Sequence, residues 1–164
     1  MATVGANQII EKLNLQPLTV EGGFFHETYR STVMLSDNRH SCGTCIYYLM
    51  QGNDYSNWHK VASDEIWLYH AGVPAIQLLL FPDGTWTERV IGPDILNGQV
   101  PQSLIPAGTW QSAVLLSRKP ADWGLFGAAV FPSFEYADFT PGHGNELAQI
   151  YPAAAARLNE LGLA

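Results

Sequence analysis

The stretch Asn57-Trp58-His59, followed by Glu65-Ile66-Trp67-Leu68-Tyr69, brings an imidazole and a carboxylate within six positions of one another. Side chains alternate faces along an extended strand. The spacing therefore predicts Asn57 and His59 on one face of a strand, and Glu65, Trp67 and Tyr69 on one face of the next. A turn at Ala62-Ser63-Asp64 lets the two strands pair, so that His59 and Glu65 meet inside an enclosed cavity. A carboxylate can orient an imidazole and stabilise its charged form, which makes the ring a base near neutral pH. An inward-facing tyrosine supplies the matching acid. Tyr47, Tyr48 and Tyr69 are the candidates, and His59, Glu65 and Tyr48 form the predicted catalytic set. The alternative is a buried pair that only satisfies its own hydrogen bonds.

Arg30, one of eight basic residues, could clamp a ligand carboxylate or phosphate through its planar fork, or pair with Glu27 or a nearby Asp as a structural ion pair. Asn57, Gln111, Trp67, Tyr69 and Phe25 complete the expected substrate-binding group. His70 alternates to the outer face and is discounted, and His143 lies in a Gly-rich linker. Asp138 reads as a pocket-mouth or a turn residue. Gly22-Gly23 precedes a strand rather than a helix and is no phosphate loop. Cys42-Gly-Thr-Cys45 has the spacing of redox and zinc pairs. It runs into strand-like Ile46-Tyr47-Tyr48-Leu49 rather than a helix, so it is read as two free thiols at a strand entrance.

The elements that must hold these residues are short. Runs rich in aromatic and branched residues cover 24–30, 44–50, 65–70, 75–81, 86–91, 103–105, 113–116, 125–131 and 135–139. Gly, Pro, Asp and Asn punctuate them, and Asp83-Gly84 reads as a hairpin turn. Many short strands with regular turns predict a sandwich or barrel. Ile9, Ile10 and Leu13 predict a helix over 6–15, ended by Pro17, and the tail over 145–163 reads as another.

The chain has 164 residues and reads as one domain over 1–164. A net charge of −7 without a basic run argues against nucleic acid, which needs clustered Lys and Arg. No apolar run approaches the ~20 residues that span a bilayer. Met1 to Glu11 lacks the pattern of a signal peptide, so the cytoplasm is the expected compartment. Charged residues make up only 14%, which suggests surface covered by a second copy, hence a homodimer.

The segment 57–72 resembles the first motif of the cupin superfamily, in which His-x-His is followed by a Glu and, after six residues, a Gly. His59, Glu65 and Gly72 match it. Pro106-Ala107-Gly108-Thr109-Trp110-Gln111 is similar to the second motif, with Gln111 where the last His would stand. More narrowly, segments in order from Glu21-Gly22-Gly23-Phe24-Phe25 through Ser63-Asp64-Glu65-Ile66-Trp67 to Phe134-Glu135-Tyr136-Ala137-Asp138-Phe139 resemble the cupin-5 branch, a family of unknown function. The resemblance implies an all-β cupin jelly-roll barrel with short N- and C-terminal helices. Cupin metal sites use three His and one Glu. Here Asn57 and Gln111 replace two of the histidines, and neutral amide oxygens are poor transition-metal ligands. The expectation is therefore no cofactor, with His59, Glu65 and Gln111 as the ligands if a divalent metal binds. The leading functional expectation is a metal-independent isomerase or epimerase acting on a small polar compound of sugar or keto-acid type. A non-catalytic small-molecule-binding cupin and a metal-dependent oxygenase or lyase are the alternatives.

Overall fold

The computed structural model describes residues 5–164. Over residues 1–4, the reading of the N-terminal stretch as no signal peptide lies outside the described residues. Helix α1 (Ala6–Lys12) leads into eleven strands: β1 (Gln16–Pro17), β2 (Phe24–Arg30), β3 (Thr44–Gln51), β4 (Tyr55–Val61), β5 (Asp64–Gly72), β6 (Ala75–Leu80), β7 (Trp86–Ile91), β8 (Gln102–Ile105), β9 (Trp110–Leu115), β10 (Trp123–Phe131) and β11 (Phe139–Pro141). Helices α2 (Gly144–Ile150) and α3 (Pro152–Leu161) close the chain.

All strand pairs are antiparallel and fall into two sheets, β1-β2-β3-β10-β5-β8 and β11-β4-β9-β6-β7. The sheets face each other as a flattened jelly roll rather than a hydrogen-bonded closed barrel. Tyr48, Met50, Trp67, Leu79, Ile105, Leu115 and Phe126 fill the space between them. The second sheet is covered on both sides. Its outer face carries Trp58, Ile76, Leu78, Leu80 and Val114, which pack on Leu147, Ala154, Leu158 and Leu161 of α2 and α3. That double cover explains why every residue of β6 is buried. Burying one such aliphatic side chain contributes about 1.5–3 kcal/mol, so the tail helices are part of the fold and not an appendage.

The differences from the sequence expectations have local causes. Helix α1 stops at Lys12 rather than 15, because Asn14 turns to φ +53° and Gln16 enters β1. The tail is two helices, since Pro152 has no N–H to continue α2 and instead starts α3 at its first position. Residues 135–139 are not one strand: Tyr136–Asp138 is a 3-10 turn, and only Phe139–Pro141 pairs, with β4. Asp83-Gly84 makes the expected β6–β7 hairpin, with Gly84 at φ +87°.

Candidate functional site

A cavity of about 200 Å³ opens between the sheets at one end of the core. His59 from β4 and Glu65 from β5 both line it, and both are buried. Tyr48, Trp67, Phe25 and Arg30 line it as well. Gln111 lies just behind Glu65, fully buried, and Nε2 of its amide donates to Glu65 Oε2 at 2.6 Å. The indole of Trp67 donates to Glu65 Oε1 at 2.9 Å.

The orientation of His59 comes from a source the spacing did not indicate. Its Nδ1 lies 2.7 Å from the carbonyl oxygen of Asn57. A carbonyl only accepts, so Nδ1 carries the proton and the neutral ring keeps its lone pair on Nε2. Nε2 is 3.9 Å from Glu21 Oε1, beyond hydrogen-bond reach. Phe139 stacks on the ring at 5.1 Å between centroids and 18° between planes. Asn57 O, not Glu65, thus fixes the imidazole, while Glu65 is fixed by Trp67 and Gln111.

Asn57 itself does not point into this cavity. Ser56 pairs with Ala113 and His59 with Gln111, so β4 has one more residue than β9 between those pairs. Such a bulge inserts a residue and resets the alternation of faces. Ser56 and His59 both serve the cavity side, where Ser56 Oγ donates to Glu21 Oε1 at 2.9 Å. Trp58 turns to the helices and donates to Leu163 O at 2.7 Å. The Asn57 side chain lines a separate groove with Tyr55, Trp58 and His143. Its backbone N–H is tied to Glu21 O at 2.6 Å, which docks the 18–23 turn on the bulge.

Tyr69 shares the inward face of β5 but sits at its far end. It packs edge-on to Phe126 at 6.1 Å and donates to Gly72 O at 2.7 Å, away from the cavity. Tyr48 does line the cavity, yet its hydroxyl donates to Gly22 O at 3.0 Å, and burial raises its pKa well above the phenol's ordinary value. It polarises rather than readily releases a proton. Burial also raises the pKa of Glu65 and Glu21 adds to the rise, while His59, Gln111 and Trp67 pull against it. Desolvation dominates because a buried carboxylate loses its hydration.

Arg30 is half exposed at the mouth and uses four of its five N–H groups. Nε and Nη2 bind Glu27 at 3.0 Å each, Nη1 binds Glu135 at 2.7 Å, and Nη2 also donates to Phe134 O at 3.2 Å. His70 lies on the outer face against Tyr47. Asp138 binds Arg39 and His40 beside the mouth, and Cys42 and Cys45 are free thiols.

Glu21, Phe134 and Phe139 also line the cavity, and sequence reasoning gave them no role. For Glu21 a signal existed: it precedes Gly22 and Gly23, which adopt φ +94° and +69°. A Cβ on Gly23 would lie 2.6 Å from Leu49 O, so this turn needs glycine, and it aims the residue before it at the barrel.

No group of three or more His, Cys, Asp and Glu side chains able to hold a metal ion occurs among the described residues. Gln111 is not among the residues lining the cavity and Asn57 lines the other groove, which leaves His59 and Glu65 where a cupin metal centre uses four ligands, so the donor set does not fit one. Among the described residues no helix is long and apolar enough to cross a membrane.

Two facing antiparallel sheets around a buried His and Glu define a cupin-type domain. The chain belongs to the family Cupin_5, described as Cupin superfamily (DUF985), whose pattern matches residues 7–141. It is 30% identical over 138 residues to the uncharacterized protein YML079W of Saccharomyces cerevisiae, covering 73% of this chain and 67% of that one. The structure of protein SO0799 from Shewanella oneidensis superposes with a TM-score of 0.86 at 29% identity, over 97% of this chain and 98% of the other. A hypothetical protein from Leishmania major superposes with a TM-score of 0.84 at 25% identity, over 96% and 98%.

Proposed function

We propose that this protein binds a small carbonyl compound in the barrel and moves a proton on the carbon beside the carbonyl, as a metal-independent isomerase or epimerase. The observation that supports it most is the tautomer of His59: Nδ1 is tied to Asn57 O, which leaves the Nε2 lone pair available beside the same cavity as Glu65. In this reading Nε2 takes the proton from carbon. The Glu65 carboxyl, pushed toward its protonated form by burial, donates to the carbonyl oxygen as enolate charge develops there. Tyr48 is a second donor to that oxygen once it leaves Gly22 O. Return of the proton from His59 to the neighbouring carbon isomerises the compound, and return to the same carbon inverts the centre when the enol turns its other face to His59 first.

The test is deuterium incorporation from D2O into a panel of aldoses, ketoses and amino ketones, followed by proton NMR. Exchange that His59→Ala abolishes supports the reading, and exchange that survives His59→Ala removes it. A binding protein without turnover is the second reading. It is favoured by the internal hydrogen bonds that already hold Tyr48 and both oxygens of Glu65, and ligand-induced stabilisation without exchange across the panel would select it.

A further inference from the structure

We propose that the cavity selects a positively charged amine on a compact, mostly apolar body, and rejects carboxylates and phosphates. The inference rests on the cavity assigned above and narrows its substrate to an amine-bearing compound without an acid group.

The charges lining the cavity are unequal. Among the described residues, Glu21, Glu27, Glu65 and Glu135 line it, against Arg30 as the one permanent cation. Even with Glu65 protonated and His59 charged, three carboxylates face two cations.

Arg30, the residue best shaped to clamp an anion, has both of its forked edges taken, with one Nη1 N–H left over. Its fork is spread over Glu27, Glu135 and Phe134 O. Clamping a ligand carboxylate with the fork means releasing a protein carboxylate beside the incoming anion, and even a single contact to the remaining N–H sets it against Glu27 and Glu135, where like charges repel.

Apart from the Glu65 carboxyl and the Tyr48 hydroxyl, which the proposed function assigns to the ligand's carbonyl oxygen, the polar groups prominent in the walls are acceptors. His59 Nε2 keeps its lone pair. Glu21 holds Ser56 on one oxygen, and a carboxylate has roughly four acceptor positions. His59 Nε2 and Glu21 are matched by a ligand that brings donors, and an ammonium brings three. The remaining walls are apolar, aromatic at Phe25, Trp67, Phe134 and Phe139 and aliphatic at Ile46, Val61 and Val130. Aromatic faces attract cations and exclude water from an apolar body. A cavity of about 200 Å³ suits a ligand of one ring rather than a nucleotide.

Three probes of one shape and different charge test this: benzylamine, benzyl alcohol and benzoate, titrated into the intact protein at pH 7 by calorimetry. Benzylamine is expected to bind at least ~10-fold more tightly than either of the others, a gap of about 1.4 kcal/mol. Glu21→Gln is expected to cut that preference below ~3-fold without weakening benzyl alcohol, and Arg30→Gln, a surface change that leaves the fold intact, to tighten benzylamine. Benzoate binding as tightly as benzylamine, no saturable benzylamine binding, or weaker benzylamine binding in Arg30→Gln would each overturn the proposal. None of these readouts uses turnover. Charge selection without deuterium exchange leaves this inference standing and removes the isomerase, and exchange with anion preference does the reverse.

Discussion

His59 and His40 both sit beside carboxylates, yet the chain uses them in opposite ways. His40 is saturated: Nδ1 meets Asp37 at 2.5 Å and Nε2 meets Asp138 at 2.6 Å, with Arg39 on the other oxygen of Asp138 at 2.5 Å. Both ring nitrogens face carboxylates, which raises the His40 pKa, through Asp138 first and Asp37 second. The ring ties the 31–43 loop to the 3-10 turn at the cavity mouth and has no valence left for a ligand. His59 has one nitrogen anchored to a backbone carbonyl and the other left over. Proximity of His to carboxylate, the feature a sequence scan detects, does not separate a bolt from a base. The number of ring nitrogens left unspent does.

The largest expected effect follows from that contrast. His59→Ala should lower deuterium exchange by about 100-fold or more, whereas His40→Ala should leave exchange within a few-fold and lower the melting temperature instead. Equal losses of exchange in both variants would break the comparison.

Glu65 sharpens it from the other side, because it serves both site and scaffold. Glu65→Leu strands the N–H groups of Trp67 and Gln111, at a cost of about 1–3 kcal/mol for each buried unsatisfied donor. Glu65→Gln should recover part of that stability, as an amide oxygen still accepts one of them. Urea unfolding of the two variants measures the difference.

The pH response of His40 is smaller and has a definite sign. Its raised pKa means that its contribution to stability is fully present below the ordinary histidine value of 6.5 and is lost as pH rises through the raised folded value. Asp37 is held below its ordinary 3.8, chiefly by its hydrogen bond to His40. Its share is present above 3.8 and is lost as pH falls through the lowered value. The melting-temperature gap between wild type and His40→Gln should therefore be widest between about pH 4 and 6.5 and close on the alkaline side. A gap that widens with alkali would contradict the arrangement.

The smallest effect belongs to Arg30→Gln, where the ion pairs are about 40% exposed and stability should change by less than about 1 kcal/mol.

Much of the fold was legible because it is written locally. Punctuated aromatic and branched runs marked most strands, and Asp83-Gly84 marked a hairpin. His59 and Glu65 do line one cavity, but not through the expected pairing of their strands: β4 and β5 lie in different sheets, and the two side chains meet across the space between them. What was illegible is non-local. Nothing in Asn57-Trp58 announces an extra residue, because the bulge is defined by the partner strand β9. The partnership of Arg30 with Glu135 spans 105 positions and depends on how the 132–139 segment folds back. Pro152 was in plain view and was read through, since the alanines after it favour helix so strongly.

That single extra residue in β4 has a consequence for reading kindred chains. Upstream of it the inward side chains fall on even positions, and downstream on odd ones. A gap placed one column off in an alignment would thus trade Trp58 for His59 and turn the barrel inside out on paper. Deleting Asn57 in the molecule would do the opposite: Ser56, Trp58 and His59 would alternate without a break against β9, with the indole still toward the helices and the imidazole still toward the cavity.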